Sequence, residues 1–584
     1  MGLLSRFSKA SSGAADPLAD PAQRKRVVYA YHEQTKHHPY RFAAGPYELD
    51  WASQPDPFRR WIGADLVRLD RAPPGSEPLA SRPLDSDPLY PPALAEGGVP
   101  PAALEPRAIS QLLFDSLALS AWKQAGASKW ALRVNPSSGN LHPTEGYLLL
   151  PAIAGISAGP AVFHYAPAEH GLELRAEIPA PTWRELTAGL PPGSLLAGLT
   201  SIHWREAWKY GERAFRYCQH DAGHAVAALS IAAAALGWKV ELLDGAGTLE
   251  LGALLGVFAE AGPEAESPEC LLLVRPCAPV EPAAARPIVT GLASRVAALA
   301  PAFRALDWRG RANDLSPEHV EWEAIELAAR ACVEPPSEEP YAVWPRPPRA
   351  TAPEPATTSL RRIVRQRRSC LALDGKTAMS ASAFFRVLES TLPRAGRFPF
   401  NALPWSPRLH LAVFAHRIDG LQPGLYWLQR DPDRLAAVRA ACRAEFLWER
   451  AAGAPEDLPL RLLLPLDLRR VAAQVSCNQD IAGDGAFSLG MIADFERSIE
   501  EHGAWFYPRL FWEAGTIGQV LYLEAEALGL RATGIGCFFD DPVHSILGLS
   551  GRAFQSLYHF TMGGAVEDPR LSTLPAYPER EGAG

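Results

Sequence analysis

No two of the eight cysteines in this 584-residue chain form a Cys-x-x-Cys pair. Cys218, Cys270, Cys277, Cys332, Cys370, Cys442, Cys477 and Cys537 are scattered, which argues against a zinc ribbon or a disulfide framework. Reduced thiols in a cytoplasmic protein fit that usage best. The most apolar stretch, Ala225 to Trp238, is too short to span a bilayer and reads as a buried Ala-rich helix. The opening Met1-Gly2-Leu3-Leu4-Ser5-Arg6 lacks the apolar region of a secretory signal, and Arg6 breaks the myristoylation pattern. A formal charge of −8 without a long basic tract makes nucleic acid and anionic membranes unexpected partners. No Gly-x-Gly-x-x-Gly follows a strand. His220 and His224 stand at i and i+4, but Asp221 occupies the place a zinc protease gives to Glu, so a buried polar patch or a ligand contact is expected there. Lys36-His37-His38 has no acidic or Cys partner at ligand spacing and reads as a surface or interface segment. No metal site is expected.

The length is too great for one core and is compatible with two large domains carrying insertions. Residues 1–26 read as a disordered tail and 27–300 as a first domain, interrupted by a Pro-, Gly- and Ser-rich surface excursion over 72–106. A helical and Pro-rich linker covers 301–358, and a second domain covers 359–584. Apolar spacing predicts a helix over Ile109–Lys123 and helical structure from His203 to Gly237, where a charged aromatic segment feeds an apolar one. Strands are expected at Gly146–Leu150, Ala161–Tyr165, Lys239–Leu243 and Cys270–Arg275. In the second half the spacing predicts strands at Leu409–Phe414 and Gly424–Leu428, a helix over Gly515–Leu530 and a strand after Arg531. Both halves thus carry an apolar helix ending in Leu-Gly (Leu236-Gly237 and Leu528-Gly529), then a strand, and an early turn before a strand pair. That self-similarity predicts a tandem duplication, a covalent version of a homodimer.

Four stretches have chemistry worth a site. The turn Arg133-Val134-Asn135-Pro136-Ser137-Ser138-Gly139-Asn140-Leu141-His142-Pro143 sets polar groups on a rigid backbone, although an ordinary connection could look the same. Arg367-Arg368-Ser369 suits a phosphate or a solvated basic face. Gly534-Ile535-Gly536 lets backbone approach a ligand. Lys209-Tyr210 is either a proton-handling pair or a snorkelling Lys beside a core aromatic. The second-half counterpart of the polar turn, Arg397 to Trp405, lacks the Ser-Ser-Gly-Asn-Leu-His core.

In this order and spacing, Asn135–Glu145, Trp208-Lys209-Tyr210 with Arg213 and Tyr217, Arg367-Arg368-Ser369 and Gly534–Gly536 resemble the nitroreductase superfamily of FMN-dependent oxidoreductases, most closely its azoline-dehydrogenase branch. The resemblance implies an α+β fold, with two nitroreductase-like domains in tandem as an intramolecular pseudo-dimer and FMN between them. It implies that Arg367, Arg368, Ser369 and Arg570 hold the phosphate. Pro136, Ser137, Ser138 and Asn140 would line the ring edge and ribityl chain, and the Gly534–Gly536 backbone would face flavin N5. Leu371 stands where the family often has a base, and Arg133 is the candidate to supply that charge. Lys209 would act as base and Tyr210 would orient substrate. One intact and one decayed site are expected, because the first half keeps the turn and the second keeps Arg-Arg-Ser. The implied activity is hydride transfer between an organic substrate and flavin, with azoline oxidation in a peptide-derived molecule as the leading case. An NAD(P)H-dependent nitro or quinone reductase and a flavin-free scaffold are the alternatives. The assembly is expected to be a pseudo-dimeric monomer or a homodimer.

Overall fold

The computed structural model describes residues 16–70, 87–277, 291–337 and 358–577. Its frame is two seven-stranded sheets. In the first, the strands run in the order Trp238–Leu242, Glu266–Pro276, Leu195–Ile202, Thr144–Leu150, Ala161–Ala166, Gly171–Glu177 and Leu66–Arg68. In the second, the order is Arg531–Ile535, Phe554–Gly563, Phe487–Asp494, Leu409–Ala415, Gly424–Leu428, Leu460–Leu464 and Glu449–Arg450. All the pairings within both sheets are antiparallel. The six leading strands of the two sheets correspond one to one, so the duplicated α+β architecture holds.

After the corresponding strands Leu195–Ile202 and Phe487–Asp494 the chain makes the same three moves twice. An eight-residue helix (His203–Tyr210, Phe495–His502) leads to a short 3-10 turn and then to a 21-residue helix (Ala214–Ala234, Tyr507–Ala527). His203 and Phe495 are related by an offset of 292 residues (495 − 203), which also relates Leu195 to Phe487 and Gly237 to Gly529. The charged helix and the apolar helix expected over 203 to 237 are therefore both present, divided by a turn. Gly211, at φ 54, ends the first helix, and a Cβ there would lie 2.3 Å from the Ala44 carbonyl oxygen. Gly503 does the same in the second half at φ 107.

The two long helices cross at Gly223 and Gly515. A Cβ on Gly223 would meet the Trp512 backbone at 2.3 Å, and one on Gly515 would meet the His220 backbone at 2.3 Å. Glycine at both positions lets the backbones touch, as at a small-residue dimer axis. These residues are separated by the same offset, so they lie opposite each other on the pseudo-twofold.

Arms are exchanged across this axis. The helix Pro21–Gln34, capped by Asp20 with Pro21 in its first turn, packs on the second half through Tyr31 and His32 against Tyr507. It begins inside the expected tail 1–26, because Leu18, Val27 and Val28 are buried. The C-terminal strand Ser572–Leu574 adds to a hairpin of the first half, Leu119–Ala125 and Ser128–Arg133. That hairpin replaces the end of the expected helix, which closes at Phe114. Of the excursion over 72–106, residues 72–86 lie outside the described residues. The rest is not merely superficial, since Tyr90, Ala93 and Leu94 are buried and Leu89–Tyr90 pairs with Thr358–Ser359. Residues 338–357 of the linker lie outside the described residues, but before them Glu323–Ala331 is helical and packs through Ala324, Ile325 and Leu327.

Candidate active site

Arg367 joins the halves at the site. Its guanidinium donates to the carbonyl oxygens of Val134 and Arg133, each at 3.0 Å, at the start of the polar turn. Ser369 is tied in through Tyr522. The two hydroxyls are 2.7 Å apart, and the Tyr522 hydroxyl also accepts the Gly534 N–H at 3.0 Å. The stretches expected from both halves are therefore contiguous. Both glycines are also required by close packing. A Cβ on Gly534 would lie 1.9 Å from the Tyr558 hydroxyl, and one on Gly536 would lie 2.2 Å from the Tyr217 ring. They make room for tyrosines of the chain itself.

On the other side, the turn lies under the Lys-Tyr pair. Gly139, at φ 62, has the Tyr210 hydroxyl 2.7 Å and Lys209 Nζ 3.1 Å from where its Cβ would be. The Tyr210 and Tyr217 rings are 4.5 Å apart, which carries the wall from Lys209 to Gly536. Pro136 is buried, Ser137 Oγ accepts the His142 N–H at 2.8 Å, and Asn140 holds φ 58 to complete the turn. Ser138 donates its N–H and its hydroxyl to Asp221, at 3.2 Å each.

Asp221 is half of a pair that sequence reasoning missed. Glu206 is fully buried, and neither of its carboxylate oxygens is hydrogen-bonded. Burial, then the Asp221 charge, push Glu206 well above the usual carboxylate range, with Lys209 pulling the other way. Burial pushes Asp221 up to about 7, against the hydrogen bonds of Ser137 and Ser138. The two acids thus hold a proton at neutral pH. Glu206, Lys209 and Tyr210 stand at i, i+3 and i+4 on one helix face, a spacing that was visible in the sequence.

His220 and His224 form the buried polar patch. His220 stacks on Tyr558 at 4.1 Å, and His224 contacts the Gln519 side chain at 3.2 Å. Burial holds both rings neutral, His224 at about 3. Among the described residues no group of three His, Cys, Asp or Glu could hold a metal ion.

Two expected ligands are placed elsewhere. The Arg133 side chain is buried and donates to the carbonyl oxygens of Thr144 and Pro57, beside Glu145 and Arg205. Only its carbonyl oxygen reaches Arg367. Arg570 lies in the connection between the strands Phe554–Gly563 and Ser572–Leu574, past the end of the seven-stranded sheet. Its guanidinium is exposed and held by Asp568 at 2.7 Å. Lys36 and His37 belong to an interface segment between the halves. Lys36 pairs with Asp541, and the His37 N–H donates to Asp540, next to the Gly534–Gly536 strand.

The donor set fits the phosphate end of FMN. Arg365, Arg367 and Arg368 donate to carbonyl oxygens and to Ser120 rather than to carboxylates. Burial, then Arg367 and Arg365, pull Arg368 down to about 9, a strain that a bound dianion would relieve. Glu526 is an acid in contact, accepting the Arg368 N–H at 3.2 Å and pairing with Arg531.

Residues 364–564 match the Nitroreductase family. A putative nitroreductase from Anabaena variabilis aligns over 92% of this chain and 99% of its own, at 22% identity and a TM-score of 0.63, so the two share the tandem fold. A putative nitroreductase from Ralstonia eutropha aligns over 39% of this chain and 99% of its own, at 18% identity and a TM-score of 0.26. The E. coli microcin synthetase McbBCD complex aligns over 47% of this chain and 85% of its own, at 16% identity and a TM-score of 0.23. Similarity at that level says nothing about activity. No curated protein matches the chain.

Proposed function

We propose that the protein is an FMN-dependent dehydrogenase with one flavin site per chain, built between its halves. The observation that carries this reading is the meeting, at one interface alone, of the polar turn, the Lys209-Tyr210 pair and the arginine cluster. Arg367, Arg368 and Ser369 would hold the phosphate, and Pro136, Ser137, Ser138 and Asn140 would flank the remainder. When bound, FMN would supply a two-electron hydride acceptor. Lys209 takes the substrate proton at Nζ, Tyr210 orients the substrate, and the Glu206–Asp221 pair stores the proton behind Lys209. Loss of a hydride together with a proton suits an azoline-type ring in a peptide-derived substrate, in keeping with the resemblance of the Lys-Tyr pair to that branch.

The purified protein should show a flavin spectrum and one FMN per chain. Two per chain, or a colourless protein that takes up no added FMN, would overturn the single shared site. Anaerobic mixing with NADH or NADPH should leave the flavin oxidised. Rapid bleaching would favour a nitro or quinone reductase instead.

A further inference from the structure

We propose that Cys477 and Cys537, 60 residues apart in sequence, form a redox-active dithiol that closes to a disulfide by exchange with a low-molecular-weight disulfide such as oxidised glutathione. Their sulfurs lie 2.8 Å apart, and both residues are partly exposed. A disulfide bond of about 2.05 Å is less than an ångström from this arrangement. The inference is independent of the flavin reading, because it needs no flavin.

The backbone on each side is clamped. Phe539 N–H donates to the Val475 carbonyl oxygen at 2.8 Å, and Gln479 Nε2 to the Cys537 carbonyl oxygen at 2.9 Å. Ser476 Oγ bonds His559 Nδ1 at 3.1 Å. Between these clamps Cys477 and Asn478 take φ 55 and 58, a left-handed pair that residues with a Cβ adopt only when their surroundings dictate it. The turn therefore presents one thiol to the other.

The groups around Cys537 favour its thiolate. The sulfur–sulfur contact with Cys477 comes first, and His37 and Arg213 act in the same direction, against burial. His37 Nδ1 accepts the Ala43 N–H at 3.0 Å, so in the neutral ring the proton is on Nε2, free to point at sulfur. Arg213 donates to the Gly536 carbonyl oxygen at 3.2 Å. Cys477 is raised by the same contact, which makes it the resolving thiol. Cys218, Cys270, Cys277, Cys332 and Cys442 are buried, and Cys370 hydrogen-bonds Thr533.

The steps balance. The Cys537 thiolate attacks one sulfur of the small disulfide, breaking its S–S bond and releasing a thiolate. Cys477 gives up its proton to that thiolate and attacks the mixed disulfide at the Cys537 sulfur, which releases a second thiolate that takes from solvent the proton Cys537 had lost. Two protein thiols are oxidised to one disulfide, and one small disulfide is reduced to two thiols. The new bond would tie the 475–479 turn to the residue after Gly536, at the rim of the site.

The test equilibrates the full chain, with and without added FMN, across glutathione buffers from reducing to oxidising. It is acid-quenched, alkylated, digested and read by peptide mass. We expect a linked peptide pair holding Cys477 and Cys537, loss of two alkylatable thiols per chain, and recovery on reduction with dithiothreitol. The other six thiols stay alkylated. In Cys477→Ser, Cys537 should instead accumulate as a stable glutathione mixed disulfide, and in Cys537→Ser Cys477 should stay free. The proposal fails if both thiols of the wild-type chain remain alkylatable at the oxidising end. It fails equally if other cysteines react alongside them. A link that forms without FMN supports the dithiol whatever the flavin content proves to be.

Discussion

The two interfaces of the pseudo-dimer use equivalent positions for opposite ends. In one, Tyr217 of the first half packs on Gly536 of the second. At the matching positions of the other, Arg509 pairs with Asp244 at 2.6 Å, with Glu334 at 2.8 Å adding to the pair. Lys209-Tyr210 in the first interface becomes Glu501-His502 in the second, where Glu501 pairs with Arg408 and His502 stacks on Phe506. His220 becomes Trp512. Trp512, Trp405 and Trp505 surround the Arg509 guanidinium. Asp221 becomes Glu513, which is paired with buried Arg430 and accepts the backbone N–H groups of Arg408 and Leu409. In this interface Glu501, Arg509 and Glu513 each have a charged partner, and indole rings surround Arg509. The other keeps two buried acids without a cation in ion-pair contact. A duplicated chain can specialise in this way because each pseudo-symmetric position mutates independently, which a true homodimer forbids.

The largest expected effect tests the closed interface. Glu513→Gln leaves Arg430 buried and unpaired, and should cost about 3–5 kcal/mol in denaturant unfolding. Next comes the chemistry of the open one. Lys209→Ala should lower turnover about a hundredfold or more with FMN content retained, whereas Glu501→Ala should leave turnover unchanged. Equal losses in both would erase the distinction between the interfaces.

The Asp221 carboxyl gives a smaller, pH-dependent contrast. Its folded pKa of about 7 lies above the ordinary 3.8 of an Asp carboxyl, so its contribution is fully present below 3.8 and is lost as pH rises through 7. Asp221→Asn removes the charge and should raise Tm relative to wild type near pH 8, with the gain shrinking toward pH 5. A pH-independent difference would show that the acid is not held protonated. The smallest effect is expected at Gly139→Ala, which forces a side chain into φ 62 against Tyr210 and Lys209. It should cost about 1 kcal/mol of stability and lower turnover by more than that loss predicts, as read from kcat at full folding.

Much of the fold is legible because its cues are local. Alternation and helical spacing mark the strands and the long helices, and the repeated Leu-Gly ending reveals the duplication. Where the reading erred, tertiary contact overrode a local pattern. Leu117 and Leu119 continue a helical spacing past Phe114, yet the chain turns there into a strand that the distant C-terminal segment Ser572–Leu574 completes. Arg133 sits beside the polar turn in sequence, but its strand position points it inward to Glu145. Arg570 lies seven residues beyond Gly563, and only the structure shows that the sheet has ended by then.

By itself the sequence determined the repeat, the polar turn, the Arg-Arg-Ser stretch and the Lys-Tyr pair, since each is a run of adjacent residues with its own chemistry. Only the tertiary structure decided which of them share an interface. It alone placed Arg367 on the Val134 carbonyl, set Glu206 beside Asp221 and brought the Cys477 and Cys537 sulfurs together. The reason is physical. Burial and proximity set what an acid or a thiol does, and both come from groups tens to hundreds of residues away.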